Sequence, residues 1–319
     1  MTSRRQFLVT AGIVLLSRQA GAQGQKVWRI GYLATHPAWT PYFHSAMKKL
    51  GYSEGKDFVV LWRVSDENPT HLRAIAQELV ALGVDLIFVD STPGALAAKS
   101  VTERIPIVIA GLVDPVGAGL VASLPRPGGN ITGTTIMSRD VMAKRMQLLK
   151  EASPALSTVV IVWNPTHPHG PVQLKDAEAA VVQFRLKALQ APVRSARDVD
   201  RVFAVVGKRG YALLLTDDTL LINQAERLAL LAADRRLPAI SGFRAFVDNG
   251  GLLSYGPSLA EQFEGAALYT DKILKGAHPA DLPVMQPSKF ELLVNLKAAK
   301  EAELTLPQSI LLRADEVIR

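Results

Sequence analysis

The chain contains no cysteine. Structural disulfides, thiolate metal sites and cysteine nucleophiles are therefore excluded, and so is a lipid carried on an N-terminal cysteine. Charge is sparse, with 20% of residues Asp, Glu, Lys or Arg, and aromatics make up 6%. No basic stripe is interleaved with aromatics, so no nucleic-acid partner is expected. The formal net charge is +7, but residues 1–22 hold three arginines (Arg4, Arg5 and Arg18) and no acid, which leaves +4 without them. Beyond residue 22 no apolar run is long enough to cross a bilayer. Catalytic signatures are missing too. There is no HExxH, and Gly251-Leu252-Leu253-Ser254-Tyr255-Gly256, the nearest approach to a GxSxG elbow, fails at Leu252. What is abundant is apolar sequence, 48% of 319 residues, enough for the cores of one large or two medium domains.

The N-terminus reads as an export signal. Arg4 and Arg5 form a positive start, Phe7 to Leu16 is mostly apolar, and Ala20-Gly21-Ala22 supplies the small-x-small cleavage pattern. Arg4-Arg5 followed by Phe7-Leu8 is twin-arginine-like. Cleavage after Ala22 would make Gln23 the first mature residue. The mature chain is then expected in a periplasm, exported by a cleavable signal and not membrane-anchored.

From Val27 onward short apolar strands alternate with amphipathic helices. Strands are predicted at Val27 to Leu33, Asp57 to Arg63, Asp85 to Val89, Ile105 to Ala110, Thr158 to Trp163, Pro192 to Arg194, Tyr211 to Thr216 and Leu237 to Ser241. Helices fall between them, including one from about Val172 to Leu189. Continuous apolar strands between helices indicate parallel sheets covered on both faces. The expected fold class is α/β, with two doubly wound parallel-sheet units. In such sheets ligands bind beyond the carboxyl ends of the strands. Those ends carry Thr35 and His36, Asp90-Ser91-Thr92, Gly111 to Asp114, Asn164-Pro165, Asp217-Asp218 and Ser241-Gly242. Small hydroxyl, amide and carboxylate groups of this kind suit a small polar ligand.

Motifs for other chemistry fail on context. Gly117-Ala118-Gly119-Leu120-Val121-Ala122 fits GxGxxA but follows a fourth strand and a long loop, so glycines at a tight helix start explain it better than a dinucleotide site. Gly51 to Asp57 has P-loop composition, yet it precedes a strand and lacks the Ser/Thr. His167 and His169 form a close pair without a carboxylate at ligand spacing, which reads as a loop with exposed imidazoles. Of Asp217 and Asp218, one is expected to accept from a ligand and the other to cap the helix before Leu221.

The stretch PIVIAGLVDPVGAGLVASLPRPGGNITG (from Pro106) resembles the signature of the ABC transporter substrate-binding protein family that includes tryptophan/tyrosine-type binding proteins. Two further blocks agree, GGLLSYGPSLAEQFEGAALYTDKILKG (from Gly250) and LPVMQPSKFELLVNLKAAKEAELTLPQSILLRADEVI (from Leu282). The resemblance implies the type I periplasmic binding protein fold: two lobes joined by a three-crossover hinge, residues 23–133 plus 257–280 and residues 134–256 plus 281–319. It implies no enzyme and no cofactor. The partners would be a small-molecule solute, an amino acid or relative, and an ABC permease in the inner membrane. A sensor of the same fold signalling to a membrane partner is the alternative. Hinge candidates are Gly129, Gly133 and Gly256, with Gly128 beside them. The solute carboxylate would meet Ser91, Thr92 and amides near Gly111. An α-ammonium would meet Asp114 or Asp217. Trp39, Trp163 and Tyr255 are candidate aromatic walls. Thr35, His36, Asn164 and Ser241 complete the expected ligand-binding set. Asp90 departs from the small residue expected before the hydroxyl-Pro pair, and a carboxylate there favours a cationic ligand.

Overall fold

Eight residues or fewer of almost uninterrupted apolar sequence suffice for a strand buried on both faces, and this chain uses such runs throughout. The computed structural model describes residues 26–319 except positions 66, 67, 137 and 208, so the predicted export signal lies outside the described residues. The first unit is built from β1 (Trp28–Ala34), α1 (Thr40–Lys49), β2 (Phe58–Val64), α2 (Pro69–Ala81), β3 (Leu86–Val89), α3 (Thr92–Lys99), β4 (Ile107–Leu112) and β5 (Ile131–Thr135). Its sheet runs β2-β1-β3-β4-β5 and is parallel throughout. One apolar cluster lies on each side, around Tyr32, Phe43, Phe88 and Phe263 on one and Leu33, Leu72, Leu79 and Ile109 on the other.

The second unit holds α4 (Ser138–Ala152), β6 (Thr158–Trp163), α5 (Gly170–Gln183), β7 (Lys187–Pro192), α6 (Val199–Val202), β8 (Tyr211–Leu215), α7 (Thr219–Asn223), α8 (Ala225–Asp234), β9 (Ala239–Ser241), α9 (Arg244–Asp248) and β10 (Leu253–Pro257). The chain then returns to the first unit as α10 (Leu259–Leu274), whose buried Phe263, Ala266 and Ala267 join the core beside β4. It goes back to the second unit for β11 (Phe290–Asn295), α11 (Leu296–Glu301), α12 (Gln308–Arg313) and β12 (Glu316–Ile318). The second sheet runs β12-β11-β10-β9-β8-β6-β7. β10 and β11 pair antiparallel, the exception to parallel pairing. The cause is the route: β10 leaves the unit at the end where β11 re-enters it, so neighbours must run in opposite senses.

Two local expectations shift. The helix predicted to reach Leu189 ends at Gln183 because Arg185 takes a left-handed φ of 57°, after which Lys187 to Pro192 pair with β6. The strand predicted at Pro192 to Arg194 therefore lies earlier. The segment after α10 runs along the free edge of β5, where Met285 N donates to Gly133 O at 2.9 Å and Thr135 N donates to Met285 O at 2.9 Å. Such cover protects an edge that would otherwise present unpaired backbone groups. No helix among the described residues is long and apolar enough to cross a membrane.

Candidate solute site between the two units

The carboxyl ends of β1, β3 and β4 face those of β6, β8 and β9, and a cavity of about 20 Å³ lies between them. That is room for about one water molecule. The first unit lines it with Trp39, Asp90, Ser91, Thr92 and Gly111 to Val113; the second contributes Ile136, His167, Asp217 to Thr219, Ile222 and Phe243. An open groove of about 1310 Å³ leads away between α2, α3 and the loops of the second unit, with Asn164 and His167 on its wall.

In the first unit the expected residues mostly serve one another. Asp90 Oδ1 accepts from Thr35 N at 2.9 Å and Thr35 Oγ1 at 3.0 Å, and Asp90 Oδ2 accepts from Tyr32 OH at 3.1 Å. Burial pushes the Asp90 carboxyl up to about 6 against those hydrogen bonds. Asp90 thus fastens the end of β1 to the end of β3, with both oxygens engaged. Ser91 caps α3 by accepting from Gly94 N at 3.1 Å, and Thr92 is buried in its first turn. The Gly111 amide donates to Thr134 Oγ1 at 2.8 Å, so it is not free to meet a carboxylate. Asp114 caps its own turn through Gly117 N at 2.8 Å, and its other oxygen lies 3.5 Å from His169 Nδ1 of the second unit.

In the second unit Asp218 is the helix cap: Oδ1 accepts from Leu221 N at 3.1 Å and Oδ2 from Asn164 Nδ2 at 3.1 Å. Burial raises its pKa to about 6. Asn164 spends its oxygen on Thr166 N and Oγ1, at 2.9 and 2.7 Å. The Asp217 backbone is clasped by Gln173, whose amide exchanges two hydrogen bonds of 2.8 Å with it. Asp217 Oδ2 accepts from Arg145 Nη1 at 3.0 Å. Ser241 lies off the cavity; its Oγ accepts from Phe243 N at 3.3 Å and shapes the turn that presents the Phe243 ring. Tyr255 is also off the cavity, stacked on Phe290 at 5.9 Å, and Trp163 packs into the second unit's core.

The aromatic wall is instead Trp39 with Phe243, one from each unit, their ring centroids 6.1 Å apart. Sequence reading missed Phe243, Ile222 and Arg145. Arg145 left a signal: it stands three residues after Met142 and four before Leu149, on the apolar face of α4, where a charge needs a buried partner. The sequence suggested an exposed histidine pair, but both residues are buried, at 5% accessibility each, and His169 meets Asp114 of the first unit. Among the described residues no three His, Asp or Glu side chains are placed to hold a metal ion.

Burial pushes His36, which lies 4.1 Å from the Trp39 ring, down to about 3, and burial with the neighbouring His169 pushes His167 down to about 4. Unfolded, both would titrate near 6.5, so their contribution to stability is lost as pH falls from 6.5 toward 4. Asp90 and Asp218 act in the opposite sense: folded values of about 6 against 3.8 unfolded return stability as pH falls from about 6 to 4. The wild type should therefore lose little stability between pH 7 and pH 5. The double variant His36→Gln/His167→Asn should gain over the same interval, the difference between the two changing by about 3 kcal/mol. Urea midpoints at both pH values test this, and parallel pH curves for the two proteins would refute it.

Two parallel-sheet units meeting at their strand ends over a polar cavity, with the chain crossing between them, define a type I periplasmic binding protein fold. The chain belongs to the ABC transporter substrate binding protein family, which it matches over residues 38–318. It is 25% identical to a tyrosine-binding protein of Clostridioides difficile over 94% of this chain and 88% of that one. A Streptococcus pneumonia ABC domain solved in complex with L-tryptophan is 25% identical, with a TM-score of 0.83 over 92% of this chain and 100% of the other. A ligand-free, open substrate binding protein with adhesive properties from Clostridium difficile is 26% identical over 92% of this chain and 99% of the other, but its TM-score is 0.66. At equal coverage and near-equal identity, the better fit to the L-tryptophan complex agrees with the small cavity: the two units here are closed together. These relatives are binding proteins and not enzymes.

Proposed function

We propose that this protein is an exported receptor that captures a small organic solute, an amino acid or a related molecule, and presents it to an ABC permease of the inner membrane. The observation that carries the reading is the join across the cavity. Asn223 Nδ2 of the second unit donates to Thr35 O of the first at 3.3 Å, His169 meets Asp114, and Phe243 faces Trp39. A solute touching both linings favours the closed arrangement and shifts the population toward it. The ligands named for two relatives suggest the amino-acid class. In this reading residues 1–22 are removed on export, and the mature chain moves freely in the periplasm. In this reading the lobes are residues 23–133 with 257–280 and residues 134–256 with 281–319, bounds that cut two residues short of the end of β5 at Thr135 and one short of the end of β10 at Pro257. No cofactor takes part.

The test is a thermal-shift screen of amino acids, their des-amino analogues and small polyols. A true ligand at a hundred times its Kd should stabilise the protein by about 2.7 kcal/mol. Small-angle scattering should show the same compound making the particle more compact. If no organic solute shifts melting, the receptor reading is wrong.

A further inference from the structure

Two arginines line the open groove of about 1310 Å³, one from each unit: Arg73 on α2 of the first and Arg194, just beyond β7, of the second. Among the described residues no Asp or Glu lines it. Neither guanidinium has a hydrogen-bond or ion-pair partner among the described residues. Elsewhere on the surface Arg63, Arg227 and Arg244 each sit against a carboxylate. Asp198, the acid nearest Arg194 in sequence, is spent on other groups. Its Oδ2 accepts from Arg194 N at 3.0 Å and Ser195 N at 3.1 Å, and its Oδ1 from Arg201 Nη1 at 3.0 Å.

A third donor lies deeper. His167, 5% accessible, lines both the groove and the solute cavity. Its Nδ1 accepts from His169 N at 3.2 Å, which places the proton of the neutral ring on Nε2. That Nε2–H hydrogen-bonds nothing among the described residues. A nearly buried N–H without a partner costs free energy until a ligand or a water meets it.

The two unpaired guanidiniums repel each other, and that repulsion opposes narrowing of the groove. An anion charged at both ends removes it. Planar guanidinium forks hold carboxylate and phosphate oxygens through paired N–H donors. We propose that the groove is a second binding site, for a small polyanion bearing carboxylate or phosphate groups, which bridges Arg73 and Arg194 and accepts from His167 Nε2. The ligand would join the two units from outside the solute cavity. The inference goes beyond the receptor reading and stands on the groove alone, whichever solute the cavity takes.

Isothermal titration of the wild type at constant ionic strength tests it, with citrate, pyrophosphate and acetate as probes. Citrate or pyrophosphate should bind at least about tenfold more tightly than acetate, and the tighter of the two names the headgroup class. Arg73→Gln and Arg194→Gln should each bring that probe to within about threefold of acetate, because a bridge needs both ends. Both side chains are exposed and unpaired, so melting should stay that of the wild type, and lost binding is then loss of the site and not of the fold. His167→Asn keeps an acceptor for the His169 amide and removes the Nε2 donor. It should weaken the favoured probe by about threefold or more. If neither polyanion binds better than acetate, the site falls. If either arginine variant binds as the wild type does, the bridge falls. If His167→Asn does, the role of that donor falls. Should His167→Asn not fold, the arginine variants still decide the site. None of these outcomes bears on solute capture, which the thermal-shift screen decides separately.

Discussion

Gly133→Ala is expected to cost about 3 kcal/mol or more, whereas Gly129→Ala, four residues earlier, should change stability by no more than about 0.5 kcal/mol. The contrast comes from position. Gly133 lies inside β5, opposite Ile109 of β4. A methyl group there would stand 2.0 Å from Ile109 O and 2.6 Å from Ile109 N, and Gly133 has a φ of 141°. The clash is with backbone of the paired strand, which cannot swing aside as a side chain can, and the φ adds strain for any L-residue. β5 cannot retreat either, because Met285 is bonded to its outer edge on both sides of Thr134. Gly129 is exposed, a methyl there would meet nothing within 4 Å, and its φ is not in the left-handed region. Thermal melts should separate the two variants by on the order of 10 °C. Equal melting of both would show that the β4–β5 approach is looser than described.

That contrast bears on what the sequence could reveal. The glycine-rich stretch from Pro106 to Thr135 invites a hinge reading for all its glycines alike, yet Gly133 is a contact glycine within a strand and Gly129 belongs to a surface loop. Composition marks where backbone freedom is needed without saying whether motion or proximity needs it. The strand ends were legible because apolar runs such as LIFV and YALLL stop abruptly at polar residues. That located Ser91, Thr92, Asp217 and Asp218 at the cavity, and made one of the two aspartates a cap, which the structure shows to be Asp218. What escaped depends on partners far along the chain. His167 is buried because the first unit closes over its loop. Phe243 reaches the cavity because Trp39, more than two hundred positions away, supplies the facing ring. Tyr255 and Trp163 fell on the other side of their sheet, since a strand alternates faces and the sequence does not say which face looks toward the cleft. The antiparallel β11 needed the return route of α10, which no local pattern encodes.

Gly242→Ala should be the most damaging substitution at the site itself. A Cβ on Gly242 would lie 2.0 Å from Asp217 Oδ1, 2.1 Å from Arg145 Nη2 and 2.7 Å from Arg145 Cζ. Ends of side chains often yield to such an intrusion, but these cannot. Arg145 is anchored by Tyr255 O, and the Asp217 backbone is clasped by Gln173. Nor can the Gly242 backbone draw back, because Gly256 closes on its carbonyl so tightly that a Cβ on Gly256 would stand 2.0 Å from Gly242 O. The alanine variant must therefore separate the buried pair or displace β10. Leaving either charge unpaired in the interior costs about 3–5 kcal/mol. The expected result is a drop of that order in unfolding free energy. Asp217→Asn leaves the buried Arg145 charge unpaired without inserting an atom beside Gly242, so it should cost a similar amount. The two variants should therefore both melt well below the wild type. If Gly242→Ala melted like the wild type while Asp217→Asn did not, the tight seat around Gly242 would not be what holds the carboxylate.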